Sequence, residues 1–331
     1  MLQCSKDSNS KAAWVLRYPA SSSDLLSARL IFTRLSILYP HRTVDWSAKL
    51  VCSSMVAWCL SVCVVASGGE TTLPLFILVG QSNMTGADSE VSERNPGIDS
   101  RDQHVLFWNR AAWSGVEWEN DNHFQPLRIQ KTAGYCADVI GPEFAFSREM
   151  KSKGGYTRMA ILKVSFPGSD LAMDWRREPA MGKKAYSALQ EEMTQVMQEL
   201  AARRETPEVK AILVHQGISD ATTESKADAY ENNLRKFLAS LRDDFGKPDT
   251  PIVLARENAS PNMKAEPMEV VRATTVRVAE TTPHTAWINV DDLDRVKGHH
   301  FTAEAQMEIG KRYAAALMAL SANPSSSTTK P

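Results

Sequence analysis

The chain has 331 residues, a formal net charge of -1, 43% hydrophobic and 23% charged residues. This near-neutral balance excludes a globally basic surface for nucleic acid or an anionic membrane, while the apolar share is enough for a sizeable core. Five cysteines make no disulfide framework, and no Cys/His cluster or acidic loop has zinc or calcium spacing, so neither a metal nor a cofactor is expected.

Residues 1–49 read as a leader, disordered or an upstream extension of the true start, with Ser21 to Ser23 and scattered basic residues but no periodic pattern. Lys49 precedes an apolar run from Leu50 to Ala66 that is short and rich in small residues. Such a run suits a signal peptide over 50–67 better than a membrane span. The expectation is export, periplasmic or secreted. A single-pass anchor is the alternative, and contact with a membrane is expected only if this segment stays uncleaved.

Leu75 to Val79 is an uncharged apolar run too short for an ordinary helix and reads as a buried strand. Gly80 ends it and Ser82 follows just past the strand tip, where ligands of open α/β sheets sit. His104 to Trp108 is a short strand. Trp108, Trp113 and Trp118 fit neither helix nor strand period, and read either as sugar platforms or as the core of an irregular insertion. Pro142 opens a helix reaching Met150, with Glu143 as a first-turn acid favoured by the dipole.

Met159 to Phe166 is a second strong strand, ending in Pro167, Gly168, Ser169 and Asp170. Lys183 to Arg204 is an amphipathic helix with Ala185, Leu189, Met193, Val196 and Leu200 on one stripe. It leads to a strand from Ala211 to His215, which runs into Gln216-Gly217-Ile218-Ser219-Asp220. Helices over Asp228 to Leu241 and Met268 to Thr281 alternate with strands Pro251 to Ala255 and Ala286 to Val290. His299, His300 and Phe301 precede a last helix, with Thr302 as its N-cap, ending near Leu320; the polar stretch 321–331 is expected to be disordered. The alternation predicts an α/β protein whose parallel sheet is covered on both faces.

Gly80-Gln81-Ser82-Asn83-Met84 resembles the nucleophile motif of the SGNH-hydrolase superfamily, and more narrowly the sialate O-acetylesterase and family-6 carbohydrate (acetylxylan) esterase branch. Gly141-Pro142-Glu143, Gly168-Ser169 with Trp175, Gln216 to Asp220 and His300-Phe301 follow in the branch's order, so the resemblance spans about Leu73 to Leu320. It implies an esterase domain over 71–320 with a three-layer α/β/α sandwich and a flavodoxin-like sheet whose first strand is central. The implied reaction is removal of O-acetyl groups from a carbohydrate partner, with Ser82 as nucleophile and His300 as general base. Ser82, Gly168 and Gln216 would hold the oxyanion, and Asn83, Trp108, Trp175 and His215 would lie on the substrate side.

Three positions depart from the branch: Pro167 replaces a glycine, Ile218 replaces the glutamate of Gln-Gly-Glu, and Lys297 replaces the aspartate three residues before the histidine. Both usual acids are therefore absent. Asp294 is the first candidate for orienting His300, ahead of Asp292, Asp291 and Asp220. The missing acids also support an alternative, a non-catalytic carbohydrate-binding or scaffolding protein on the same fold. The sequence leaves the sugar, the acetylated position and the oligomeric state open.

Overall fold

Strand β1 (Thr71–Gly80) is buried on both faces because its side chains alternate between two cores. Leu75, Ile77 and Val79 point to one side, Phe76 and Leu78 to the other. The computed structural model describes residues 71–91, 102–113, 116–132, 137–178, 184–261 and 263–322, with a separate antiparallel pair of short strands, Ser5–Lys6 and Ala12–Ala13. The apolar run at 50–67 lies outside the described residues, as do residues 323–331 and the side chains of Trp113 and Trp118.

The main sheet also contains β2 (Val105–Trp113), β3 (Val116–Asn120), β4 (Met159–Ser165), β5 (Glu205–His215), β6 (Ile252–Ala255) and β7 (Thr285–Ile288). Their order is β7-β6-β5-β1-β4-β2-β3, with all neighbours parallel except β3, which returns antiparallel on β2; off this path an eighth, two-residue strand, Gln125–Pro126, also pairs antiparallel with β2. The first strand is thus central, in a mainly parallel sheet flanked by helices. Parallel pairing puts the ends of β1, β4, β5 and β6 at one edge, the crevice side of such sheets.

Helices α3 (Ala185–Ala202), α4 (Glu224–Phe245) and α5 (Ala265–Thr281) bury their apolar stripes on the Ile77 face. Helices α2 (Glu143–Ser152) and α6 (Ala303–Ala322) cover the Phe76 face. Among the described residues no helix is long and apolar enough to cross a membrane.

One buried pair was hidden in the apolar pattern. Lys163, in the middle of β4, is fully buried, and its Nζ donates to Glu143 Oε2 at 2.9 Å. Glu143 Oε1 also accepts from the Gly141 N–H at 3.0 Å and from the Gln130 amide. Glu143 is therefore more than a first-turn acid: it neutralises a lysine inside the sandwich. Burial lowers the Lys163 ammonium below its ordinary pKa despite the Glu143 charge.

Candidate active site

The site is built where β1 turns into the four-residue helix α1 (Ser82–Thr85). Gly80 is required there because the two chains nearly touch: a Cβ on it would lie 2.2 Å from the His215 carbonyl oxygen of β5. The Gln81 N–H then donates to that same carbonyl at 3.1 Å, and the Phe166 N–H after β4 donates to Gly80 O at 2.9 Å. Three strand ends are thereby tied together around Ser82, which is 6% exposed.

Ser82, Gly168 and His300 line one cavity of about 300 Å³. Gly168 stands in the left-handed region at φ +67°, which lets the Pro167–Gly168 turn fold against the crevice. Ile218, Met263, Pro167 and Ala87 supply apolar wall, and Gln81, Ser219 and His299 supply polar groups. His299 packs edge-on to His300 with ring centroids 4.2 Å apart. Burial, with the adjacent His300, lowers the His299 imidazole below its ordinary pKa.

The acid beside His300 is Asp88. His300 Nδ1 lies 2.5 Å from Asp88 Oδ2, and Lys297 Nζ donates to Asp88 Oδ1 at 2.7 Å. Burial by itself would raise the Asp88 carboxyl, but hydrogen bonds and charge from His300 and Lys297 outweigh it and hold the group below its ordinary pKa. An ionised carboxylate only accepts, so the shared proton sits on Nδ1 and leaves Nε2 as the basic nitrogen. Asp88 (φ +62°) and Lys297 (φ +49°) both occupy the left-handed region, where a side chain other than glycine's is uncommon.

Several expected positions fall elsewhere. Asp294 is exposed, and its backbone carbonyl accepts from the Thr302 N–H at 3.2 Å. Asp292 pairs with Arg312 at 2.6 Å, and Asp291 pairs with Arg272 at 2.7 Å. Asp220 is buried and accepts the Leu171 N–H at 3.0 Å, steadying the segment after Gly168.

Gln216 does not line the cavity. Its amide donates inward to the Ser169 carbonyl at 2.7 Å, so it braces the Gly168 turn instead of facing an oxyanion. Trp108 is 1% exposed, with its indole N–H on Glu192 Oε2 at 2.6 Å and its ring edge-on to Phe124. Trp175 is equally buried and donates to Ser169 Oγ at 2.8 Å. Asn83 and His215 are fully buried. None of these four lines the Ser82 cavity; large rings and paired amides there gain more from core packing and internal hydrogen bonds than from facing solvent.

Sequence reasoning missed two acids. Asp88 lies only six positions beyond Ser82, and its signal was proximity to that serine, not to the histidine. Glu257, two residues after β6, is fully buried and accepts from Gln81 Nε2 at 3.0 Å and Asn83 Nδ2 at 3.2 Å. A charged residue directly after a buried strand at this sheet edge was its signal.

Comparison with known proteins agrees with the architecture. A probable carbohydrate esterase of Arabidopsis thaliana is 28% identical over 198 residues, which are 54% of this chain and 66% of that relative. The X-ray structure of that Arabidopsis protein superposes with a TM-score of 0.56 at 21% identity, covering 75% of this chain and 98% of the other. The crystal structure of NanS gives a TM-score of 0.53 at 13% identity, over 77% of this chain and 98% of that one. These two likenesses concern the fold. The family model described as "Carbohydrate esterase, sialic acid-specific acetylesterase" matches residues 72–319, most of the chain, and the protein belongs to that carbohydrate esterase family.

Proposed function

We propose that the protein is a serine esterase that removes O-acetyl groups from carbohydrates. Family membership supports esterase activity in general. The observation that carries the finer reading is that His300, paired with Asp88, lines the same cavity as Ser82. A serine hydroxyl, an imidazole and a carboxylate on its far nitrogen are the parts that acyl transfer requires.

In this reading Ser82 Oγ attacks the acetyl carbonyl while His300 Nε2 takes its proton. Asp88 fixes the imidazole tautomer and stabilises the imidazolium. Backbone N–H groups of Ser82 and Gly168 face the developing oxyanion, a role in which each donor contributes about 2.7–4 kcal/mol. His300 then returns the proton to the departing sugar hydroxyl. Water, activated by the same imidazole, releases acetate from Ser82. The cavity volume suits a single acetylated sugar ring.

Export belongs to the same proposal and rests on the sequence of residues 50–67 alone. N-terminal sequencing of the protein recovered from outside the cytoplasm checks it.

The test is hydrolysis of p-nitrophenyl acetate and of an O-acetylated sugar by the full chain and by Ser82→Ala. A loss of at least about 10³-fold in kcat is expected for the variant. Equal rates for both proteins, or none, would favour the non-catalytic alternative, a sugar-binding member of the family.

A further inference from the structure

Two buried polar residues beyond β6 take no part in the chemistry proposed above. Glu257 and Asn258 are each 0% exposed and neither lines the Ser82 cavity. A carboxylate in such a place is costly unless its lone pairs are met. Those of Glu257 are met almost entirely by the nucleophile turn and the segment beside it. Oε1 accepts from Gln81 Nε2 at 3.0 Å and from the Ile218 N–H at 3.4 Å. Oε2 accepts from Asn83 Nδ2 at 3.2 Å, and His215 Nε2 stands 3.5 Å from it. Gln81 and Asn83 are the chain neighbours of Ser82 on either side. The far end of the Gln81 amide accepts from Ser219 Oγ at 2.9 Å, so both of its ends are held.

Asn258 reaches the other way. Its Nδ2 donates at 3.1 Å to the carbonyl of His299, the residue before His300, and its Oδ1 accepts from Arg295 Nη1 at 3.2 Å. The backbone between the two is itself fixed, since Arg272 Nη1 donates to the Glu257 carbonyl. On the opposite side of Ser82, Gln306 Nε2 of α6 donates to the Asn83 carbonyl at 3.0 Å.

We infer that Glu257-Asn258 is a positioning clamp, one residue gripping the turn that carries Ser82 and the next gripping the loop that carries His300. The inference rests on the esterase reading. Ser82 comes from β1 and His300 from the loop before α6; Asp88 joins the two segments on the imidazole side and Gln306 of α6 holds the Asn83 carbonyl, and the end of β6 adds a third tie, independent of these. Glu257 bonds the chain neighbours of Ser82, and Asn258 bonds the residue before His300.

Electrostatics fits this role. Burial pushes the Glu257 carboxyl up, yet His215, Gln81 and Asn83 outweigh it and hold it lowered. The group is then an anion, and its acceptor-only character matches the donors around it. A glutamine at 257 keeps the shape but must turn an NH₂ towards a donor, leaving one neighbour of Ser82 unpaired.

The experiment compares the full chain with Glu257→Gln and Asn258→Ala, reading kcat and KM for p-nitrophenyl acetate, the rate of covalent labelling of Ser82 by a fluorophosphonate, and cooperative thermal unfolding. A misplaced nucleophile loses rate without losing ground-state binding. Glu257→Gln is expected to lower kcat and the labelling rate by about 30- to 100-fold with KM within about threefold, and Asn258→Ala by about tenfold, both with cooperative unfolding. A Glu257→Gln variant that keeps kcat within about threefold overturns the clamp, as does a loss of rate that only follows the unfolded fraction. Should Glu257→Gln not fold, Asn258→Ala decides on the same criteria. A wild-type chain without Ser82-dependent hydrolysis overturns the esterase reading and the clamp with it, whereas an active wild type with unaffected variants overturns the clamp alone.

Discussion

Asp88 and His300 are 212 positions apart in the chain and 2.5 Å apart in space, carboxylate oxygen to ring nitrogen. If Asp88 orients the imidazole, Asp88→Asn leaves Nδ1 facing an amide and favours the wrong tautomer. The expected effect is a drop in kcat of about 10²- to 10⁴-fold with little change in KM, the upper figure being that of a buried triad aspartate. Asp294→Asn is the control, and steady-state kinetics should find it within about twofold of wild type, as for an exposed residue whose place beside the imidazole is taken by Asp88.

Lys297 makes the exchange of acids testable in both directions. Its side chain is 56% exposed, so the bond to Asp88 adds little stability, roughly 0–1 kcal/mol, and Lys297→Ala should melt close to wild type. Lys297→Asp alone sets a second carboxylate against Asp88, and like charges so close cannot both ionise freely. Its activity should fall and its pH–rate profile should shift to higher pH. Combining Asp88→Ser with Lys297→Asp restores a single acid at the position three before His300, and the double variant should regain part of the rate lost by Asp88→Ser alone.

The strands were legible because their apolar runs are short and uninterrupted between polar turns, as in Leu75 to Val79 and Ala211 to His215. What escaped was set by pairing. β5 begins at Glu205, six residues before its apolar run, because Thr206 to Val209 pair with Thr72 to Leu75 of β1. β2 runs on to Trp113 because its second half pairs with β4 and β3, whatever its own pattern. In the site, Ser82, Gly168 and His300 were readable as motif positions at strand ends. Asp88 was not, because a left-handed turn aims it back at a loop that chain order places far away. Trp108, Trp175, Asn83, His215 and Gln216 do not line the Ser82 cavity, for a related reason: residue type alone does not tell which way a side chain faces.

Asp220 links stability to pH. Burial, with the nearby Asp170 charge, raises its carboxyl to about 7, against the Leu171 hydrogen bond that lowers it. The folded state therefore holds this proton where the unfolded chain, with an ordinary value near 3.8, has lost it. The resulting stabilisation is present at acid pH and is lost as pH rises through about 7. It amounts to roughly 2–4 kcal/mol over that window. Asp220→Asn cannot ionise, so its melting temperature relative to wild type should rise by several degrees between about pH 5 and pH 8. Thermal melts at the two pH values check the sign.

The Glu143–Lys163 pair should behave as a buried ion pair, costly to break from one side. Glu143→Ala strands the Lys163 ammonium and is expected to lose about 3–5 kcal/mol of unfolding free energy. Glu143→Leu with Lys163→Met, which removes both charges and keeps volume, should recover part of that loss, the rest being the unpaired Gly141 N–H and Gln130 amide. Urea denaturation of the three proteins at neutral pH separates the outcomes.

The proposed nucleophile and the proposed acid lie on one short segment, Ser82 and Asp88, with only the imidazole arriving from the far end of the domain. This bears on how degenerate members of the family are recognised. A column-by-column inspection finds a lysine where the aspartate belongs and an isoleucine where the glutamate belongs, and would file the chain among the dead enzymes. In three dimensions a carboxylate stands against the ring all the same, delivered by a different loop. Surveys that separate working from defunct relatives should therefore ask which acid, from anywhere in the chain, comes within hydrogen-bond distance of the histidine.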